Sequence, residues 1–537
     1  MGKKGGKDKK KGKGAEKTLA KTEKKLSNKL KKELKSKGED DIETILAKIE
    51  SEEKKRLQVT ESIIEQPSRR LNFSFVSHPE KEQLIMYGGE FYDGQKTLVY
   101  GDLFFYNIPN RTWSVVKAPG GPAPRCGHQM VTTNTNKGQL WVFGGEFASP
   151  SQSQFYHYRD LWVFHLGTKQ WEKITSPNGP SARSGHRMVV NKKKLFVFGG
   201  FHDNLRDYKY FNDLYAFNME SYKWEKIEAT GNGPAPRSAC CMAALNDGRI
   251  LIYGGYSKEK IKKDVDKGHV FTDAFLLTPN KNDTTGLQFK WVQIKLGNNF
   301  SPRCSMPMTV SGNNSFAYCF GGVFDIEDEE ENISGNFFND LYQLDLEKFV
   351  WKTVTVSGKK DKEQKARRRK KDTREEEGGD DQDEEMKEVE EIEKSVESTI
   401  ISDDGIFKVT VGPVLNNQSV GSSSSVCDTE SVFSPSPRIN CGLAIKHGVL
   451  YLYGGMAEDG DKQFTFNDFY SLDLKKMDEW NTIKDDPTSN SAWVGSDSES
   501  GEESDENENE NENENDDDED EEGEDEDEDE ESGMDTD

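Results

Sequence analysis

The side chains that could do chemistry in this 537-residue chain are few and scattered. Eight histidines occur, at His78, His128, His157, His165, His186, His202, His269 and His447, with seven cysteines at Cys126, Cys240, Cys241, Cys304, Cys319, Cys427 and Cys441. A metal centre needs three or four such donors converging, and a thiol or zinc site needs paired spacing such as CxxC, which is absent here. Three of the cysteines fall in strand-like apolar runs, the setting of reduced thiols used as small hydrophobes. His128 and His186 occupy one position in two similar stretches, RCGH and RSGH, where other such stretches carry Cys240, Met306 and Cys441, so the repetition points to structure rather than ligation. His157 and His202 lie in comparable loops, but no carboxylate or thiolate completes a ligand set. The chain has no Ser-His-Asp signature, no GxxxxGK[ST] and no HExxH. The sequence therefore predicts no catalytic residue, no metal and no cofactor.

What does cluster is aromatic. Tyr92 follows Phe91; Phe155, Tyr156, His157 and Tyr158 are consecutive; and His202, Arg206, Tyr208 and Tyr210 share a stretch with Phe201 and Phe211. Tyrosine and arginine are favoured anchors of protein interfaces. This predicts a binding surface for a protein or peptide built from Tyr92, Phe155, Tyr156, His157, Tyr158, His202, Arg206, Tyr208 and Tyr210. The competing expectation for each is that it packs on its own sheet and stiffens a long loop.

The elements that must position these residues emerge from a repeat. A glycine pair follows an apolar run six times, at Gly88 and Gly89, Gly144 and Gly145, Gly199 and Gly200, Gly254 and Gly255, Gly321 and Gly322, and Gly454 and Gly455. The first four pairs are 56, 55 and 55 residues apart, the kind of period that marks a repeat architecture. Upstream of each stands Pro with Arg (Arg69 or Arg70, then Arg125, Arg183, Arg237, Arg303 and Arg438). Downstream an Asp opens a strand, at Asp102, Asp160, Asp213, Asp273, Asp340 and Asp468, and a Trp closes the unit, at Trp113, Trp171, Trp224, Trp291, Trp351 and Trp480. Between them lie short runs rich in Val, Phe and Trp, such as HQMVTTN, QLWVFGG, DLWVFHL and QWEKI, separated by Gly, Asn, Pro and Lys, which read as four strands and their turns. The large Trp is expected to bury its ring between adjacent sheets while its indole N–H finds an acceptor.

This Gly-Gly, Asp and Trp grammar resembles the kelch repeat. Six copies then imply a six-bladed all-β propeller, in which thin sheets cover one another's faces around an axis. The resemblance also raises two further readings: a substrate receptor of a ubiquitin ligase, and a metal-dependent enzyme of the kelch type. The 66 residues before Pro67 are too few for a BTB adaptor, and no Cys follows a Leu by four positions as an elongin-binding box requires. In an up-and-down sheet the connections after strands two and four share one end. The long connections at 90–101, 146–159, 201–212, 256–272, 323–339 and 456–467 are therefore expected on one face, together with the long insert before the last blade.

Composition divides the chain further. From Asp497 onward there are 27 acidic residues and no Lys or Arg, so against a total of −26 the remaining 496 residues carry +1. The first 40 residues hold 16 Lys and six acidic residues. We expect a basic, partly helical extension over 1–66, blades one to five over 67–356, a low-complexity charged insert over 357–430, blade six over 431–485 and a disordered acidic tail over 486–537. Leu19, Leu26, Leu30 and Leu34 form one helical stripe among lysines, which permits nucleic-acid binding without favouring it, and Ile42, Ile45 and Ile49 mark a second helix expected to pack on the propeller. Ser496, Ser498, Ser500 and Ser504 stand among carboxylates as phosphorylation candidates. With no apolar run near the roughly 20 residues of a membrane span and no secretory signal, the expectation is an intracellular monomer without membrane contact, cytoplasmic and, through KARRRKK, also nuclear.

Overall fold

A computed structural model of the chain describes Leu34 and residues 36–203, 208–262, 265–327, 333–358, 432–459 and 462–486. The N-terminal stripe of leucines other than Leu34, most of the charged insert, Arg206 and the four tail serines lie outside the described residues.

Each repeat folds into one antiparallel sheet. In blade 2 the strands are Gln129–Thr133, Gln139–Phe143, Leu161–His165 and Gln170–Ile174, paired in sequence order from the first to the fourth. The second strand is apolar on both faces because both faces are covered. Leu140 and Val142 pack with Ile85 and Tyr87 of blade 1, whereas Trp141 and Phe143 pack with Leu195 and Val197 of blade 3. Six such sheets occur among the described residues, and six apolar clusters fill the spaces between neighbours.

The ring closes without a shared strand. All four strands of blade 6 (Gly442–Lys446, Val449–Asp459, Lys462–Asp473 and Trp480–Lys484) come from one segment, and its first strand lies beside the first strand of blade 1, Ser74–Ser77. Phe73 and Phe75 pack with Tyr453 and Phe469 across this seam. The Tyr453 hydroxyl donates to the Pro67 carbonyl at 2.8 Å, and Arg69 holds the Asp486 carboxylate at 2.7 and 2.8 Å. Arg69 is therefore the closing residue and Arg70 the repeat arginine. Blade 1 also gains a fifth strand, Thr60–Ile64, along its outer edge, inside the stretch expected to be only an extension.

The repeated tryptophans seal the interfaces in one pattern. Each ring meets the aromatic residue that precedes the glycine pair of the preceding blade: Tyr87 with Trp171, Phe143 with Trp224, Phe198 with Trp291, Tyr253 with Trp351, Phe320 with Trp480 and Tyr453 with Trp113, at centroid distances of 5.4 to 6.0 Å. The expected indole acceptor is not universal, since Nε1 of Trp351 has no partner among the described residues. The glycines are forced by close approach. A Cβ at Gly144 (φ +65°) would sit 2.7 Å from the His186 ring, and one at Gly145 (φ +92°) 2.6 Å from the Cys126 carbonyl oxygen.

The insert departs from expectation. Ser357 and Gly358 donate to the Met477 and Asp478 carbonyls, in the turn between the third and fourth strands of blade 6, and a Cβ on Gly358 would touch Val432 at 3.1 Å. Both ends of the insert are thus adjacent at the outer rim, beside a turn at the end opposite the long connections. The linker after a fourth strand follows the outer edge of the next sheet before turning inward, a path that strand order alone does not reveal.

Candidate functional site

The buried frame beneath the long connections is an arginine in every blade. Arg125, Arg183, Arg237, Arg303 and Arg438 each donate to the carbonyl of the first glycine of the pair and ion-pair with the Asp that opens the third strand, at 2.5 to 2.9 Å. Burial alone would lower Arg125, but the Asp160 carboxylate more than offsets it and holds the guanidinium above its ordinary value. Arg70 differs: its guanidinium bonds to the Ser68 carbonyl and hydroxyl and to the Gly88 carbonyl, no ion pair joins it to Asp102, and burial lowers its pKa. Each guanidinium also lies over an aromatic ring two residues before the Asp: Tyr100, Tyr158, Phe211, Phe271, Phe338 and Phe466, at 3.5 to 4.3 Å.

That frame corrects part of the expected binding surface. Tyr158 is buried, stacks on Arg125 at 4.0 Å and donates to the Pro124 carbonyl, so it belongs to the frame. His157 is buried too: its Nδ1 meets the Ser184 hydroxyl at 2.8 Å, its Nε2 accepts from the Asp203 amide at 3.1 Å, and burial lowers its pKa to about 4. The His202 ring lies 4.5 Å from that of His157, tilted by 30°. The run of aromatics does not by itself separate these from surface residues, since Phe155, Tyr156 and His157 alternate along one short hairpin strand and Tyr158 lies just past it, over Arg125.

The long connections are not irregular loops. They are hairpins: Glu90–Tyr92 with Thr97–Val99, Glu146–Ala148 with Phe155–His157, Phe201–Asp203 with Tyr208–Tyr210, and Val323–Glu327 with Ile333–Phe337. In blades 4 and 6 the second and third strands simply continue past the glycine pair after a bulge. Tyr92 and Tyr156 are exposed and Phe155 is half-buried; the Tyr92 hydroxyl donates to the Gly94 carbonyl within its own hairpin. Tyr208 and Tyr210 are half-buried, and the Tyr208 hydroxyl donates to Asp266 of the blade 4 hairpin at 2.8 Å.

Tyr208 and Tyr210 join residues that, Phe201 apart, sequence reasoning missed. With Glu146, Phe201, Asp203, Tyr256, Lys258 and Asp325 they line the mouth of a central cavity of about 830 Å³, whose walls are the first strands of all six blades. Also lining it are Asn72, Gly127, Gly185, Ala239, Ser305 and Asn440, all with positive φ. Several link one blade to the next: Gly127 donates to Asn72, Gly185 to Gly127, Ala239 to Gly185 and Asn440 to Ser305. A signal was available, since the second residue after each repeat arginine is Asn, Gly, Gly, Ala, Ser or Asn, small types or types that tolerate the left-handed region. Glu146 faces this mouth with the Glu90 carboxyl nearby, and burial together with Glu90 pushes its pKa up to about 8.

His128 and His186 are buried against the glycine pairs of the preceding blades, with His128 lowered to about 3 by burial, which is a packing role. Among the described residues no group of three or more His, Cys, Asp or Glu is arranged to hold a metal ion, and no helix is long and apolar enough to cross a membrane.

One part of the hairpin end is covered by the chain itself. Helix α1 (Ile42–Lys55) packs Leu46 on Phe147 and Tyr158, flanked by Ile42, Ile45, Ile49 and Val99. The isoleucine stripe thus meets blades 1 and 2.

Together the ring of sheets, the arginine frame and the axial cavity define a β-propeller. The family model described as FBX42, beta-propeller domain, matches residues 70–284. Kelch domain-containing protein 3 of Homo sapiens is 29% identical over 179 residues, 32% of this chain and 45% of that protein. Kelch domain-containing protein 10 of Xenopus tropicalis is 27% identical over 194 residues, 35% of this chain and 41% of that protein. The leucine-zipper-like transcriptional regulator 1 homolog of Drosophila melanogaster is 24% identical over 281 residues, 51% of this chain and 25% of that protein. The matches thus span less than half the length of each of these relatives. In its fold the chain is a β-propeller, and in its repeat it is similar to these kelch proteins.

Proposed function

We propose that this chain is a non-catalytic recognition scaffold that docks a protein or peptide on its hairpin end, at the mouth of the axial cavity. The observation that carries this reading is the asymmetry of the two ends. Among the described residues every second-to-third connection extends as a hairpin, and those of blades 2 to 5 line the cavity, whereas first-to-second turns are as short as Asn191–Lys194. Tyr208, Tyr210 and Tyr256 supply large, partly exposed rings at the mouth, Phe155, Tyr156 and His202 lie on the blade 2 and blade 3 hairpins that line it, and Tyr92 lies on the neighbouring blade 1 hairpin. The N-terminal MGKKGGKDKKKGKGAEK and the stretch GQLWVFGGEFASP resemble kelch domain-containing protein 4.

The test is proximity labelling with the full chain and with a Tyr208→Ala, Tyr210→Ala, Tyr256→Ala variant. The labelled set should lose its strongest members in the variant while the thermal unfolding midpoint stays within a few degrees. An unchanged set in a folded variant defeats the reading.

A further inference from the structure

Helix α1 is not held to the propeller by its apolar stripe alone. Its N-terminal end is tied to the tip of the blade 2 hairpin, residues 149–154. Gln154 clamps the chain on both sides of the cap: its Oε1 accepts from the Ile42 amide at 3.0 Å and its Nε2 donates to the Asp40 carbonyl at 3.1 Å. Glu39 then spans the serines of the tip. Its carboxylate accepts from the Ser151 hydroxyl in a short bond, from the Ser151 amide at 3.3 Å and from the Ser153 hydroxyl at 3.1 Å. Some burial acts to raise the Glu39 pKa, but the bonds from Ser151, Ser153 and Ser149 outweigh it and hold the group below the ordinary carboxylate range, so it is ionised at neutral pH. Ser151 is exposed, unlike the buried Ser149 and Gln154 beside it.

This places an accessible hydroxyl in direct contact with a carboxylate that fastens a removable element. From this arrangement we infer that Ser151 is a modification site, and that its phosphorylation releases helix α1 from blade 2. The step transfers the γ-phosphoryl group of ATP to Ser151 Oγ: the new P–O bond forms as the bond to the ADP leaving group breaks, and the hydroxyl proton passes to the kinase base. The product loses its donor toward Glu39 and gains a charge of about −2 beside an existing −1. A phosphate near a helix N-terminus gains a fraction of a unit of dipole attraction, but the full charge of Glu39 is closer, so repulsion wins. Release uncovers Leu46, Phe147 and the edge of Tyr158, an apolar patch next to the hairpin end. This inference does not depend on what the cavity mouth binds.

The experiment is hydrogen exchange read by mass spectrometry on the full chain, with phosphoserine installed at position 151 by codon suppression. Exchange over 42–55 should rise about tenfold or more, the effect of like charges at contact distance in water, while protection of the blade 2 strand Gln139–Phe143 stays constant. Adding Glu39→Lys to the phosphoserine protein should restore protection, because the repulsion becomes an attraction; Ser151→Ala alone, which removes the exposed hydroxyl's bonds to Glu39 and Ser153, should change exchange by only a few-fold. Unchanged or slower exchange in the phosphoserine protein, or failure of Glu39→Lys to restore it, overturns the release mechanism. Unmodified Ser151 in protein purified from its native cells under every growth condition overturns the assignment as a modification site.

Discussion

Asp213→Ala should be among the most damaging single changes in the propeller, and the damage should come from the uncompensated charge it leaves in the interior. The Arg183 guanidinium is fully buried, and Asp213 holds it with two bonds of 2.5 and 3.1 Å. The remaining partners are neutral: the Gly199 carbonyl at 3.0 Å, the Ser181 carbonyl at 3.0 Å, the Ser181 hydroxyl at 3.0 Å and the Phe211 ring at 4.1 Å. Removing one member of a buried pair costs about 3–5 kcal/mol. Because Asp213 is 23% exposed, water can reach the vacated space, and the low end, about 3 kcal/mol, is the expected value. The molecule contains its own control. Arg70 is as deeply buried but is held by Ser68 and the Gly88 carbonyl without an ion pair to Asp102, so Asp102→Ala should cost under about 1 kcal/mol. Urea unfolding followed by tryptophan fluorescence reads both variants through their midpoints at unchanged slope. Equal costs for the two variants, or a cost under about 1 kcal/mol for Asp213→Ala, would refute the view that the carboxylates neutralise buried arginines.

Other perturbations test neighbouring parts of the structure. Gly144→Ala should cost about 2 kcal/mol or more by chemical denaturation, since it combines a left-handed backbone with a Cβ 2.7 Å from the His186 ring and 2.8 Å from the Arg183 carbonyl oxygen. The folded-state pKa of Glu146 stands at about 8, above the 4.5 of the unfolded chain, so its contribution is fully present below pH 4.5 and is lost as pH rises through 8; Glu146→Gln should flatten that part of the stability profile. His128 runs the other way: its folded pKa of about 3 lies below the unfolded 6.5, so stability falls as pH drops from 6.5 toward 3, and His128→Phe, if it packs, should shift the acid midpoint downward. Arg69→Ala, which removes the bond to Asp486 across the seam, should raise hydrogen exchange in Gly442–Lys446 and Trp480–Lys484 before it affects blade 3.

What the sequence made legible was whatever repeats with a strong side-chain signature. Glycine pairs with positive φ, buried arginines, the Asp that opens each third strand and the interface tryptophans all recur in a fixed order, and each has a steric or electrostatic reason to be that residue type. Less legible was the direction in which an aromatic points. Tyr158 and Tyr156 are near neighbours in one run, yet the first stacks on Arg125 and the second is exposed, because one lies in the paired hairpin strand and the other in the turn toward the repeat Asp, where the ring folds back over the guanidinium. Alignment with Tyr100, Phe211, Phe271, Phe338 and Phe466, all two residues before the repeat Asp, would have separated them. The ring of Asn72, Gly127, Gly185, Ala239, Ser305 and Asn440 escaped because it shares a backbone conformation, not a side chain. Glu146 escaped because a carboxylate after a glycine pair reads as ordinary surface until the hairpins fold over it. The position of the insert escaped because topology gives the end at which a strand stops but not the path its linker takes along the next sheet.

The most direct measurement of the docking claim is site-specific photo-crosslinking in the full chain, with a benzophenone amino acid at Tyr210 on the cavity mouth and, separately, at Lys192 in the short turn at the opposite end. A partner that uses the mouth gives a defined adduct from position 210 and none from position 192, and Tyr256→Ala diminishes that adduct. Adducts from position 192 with none from position 210 would contradict the account, because the partner would then be engaging the end without hairpins.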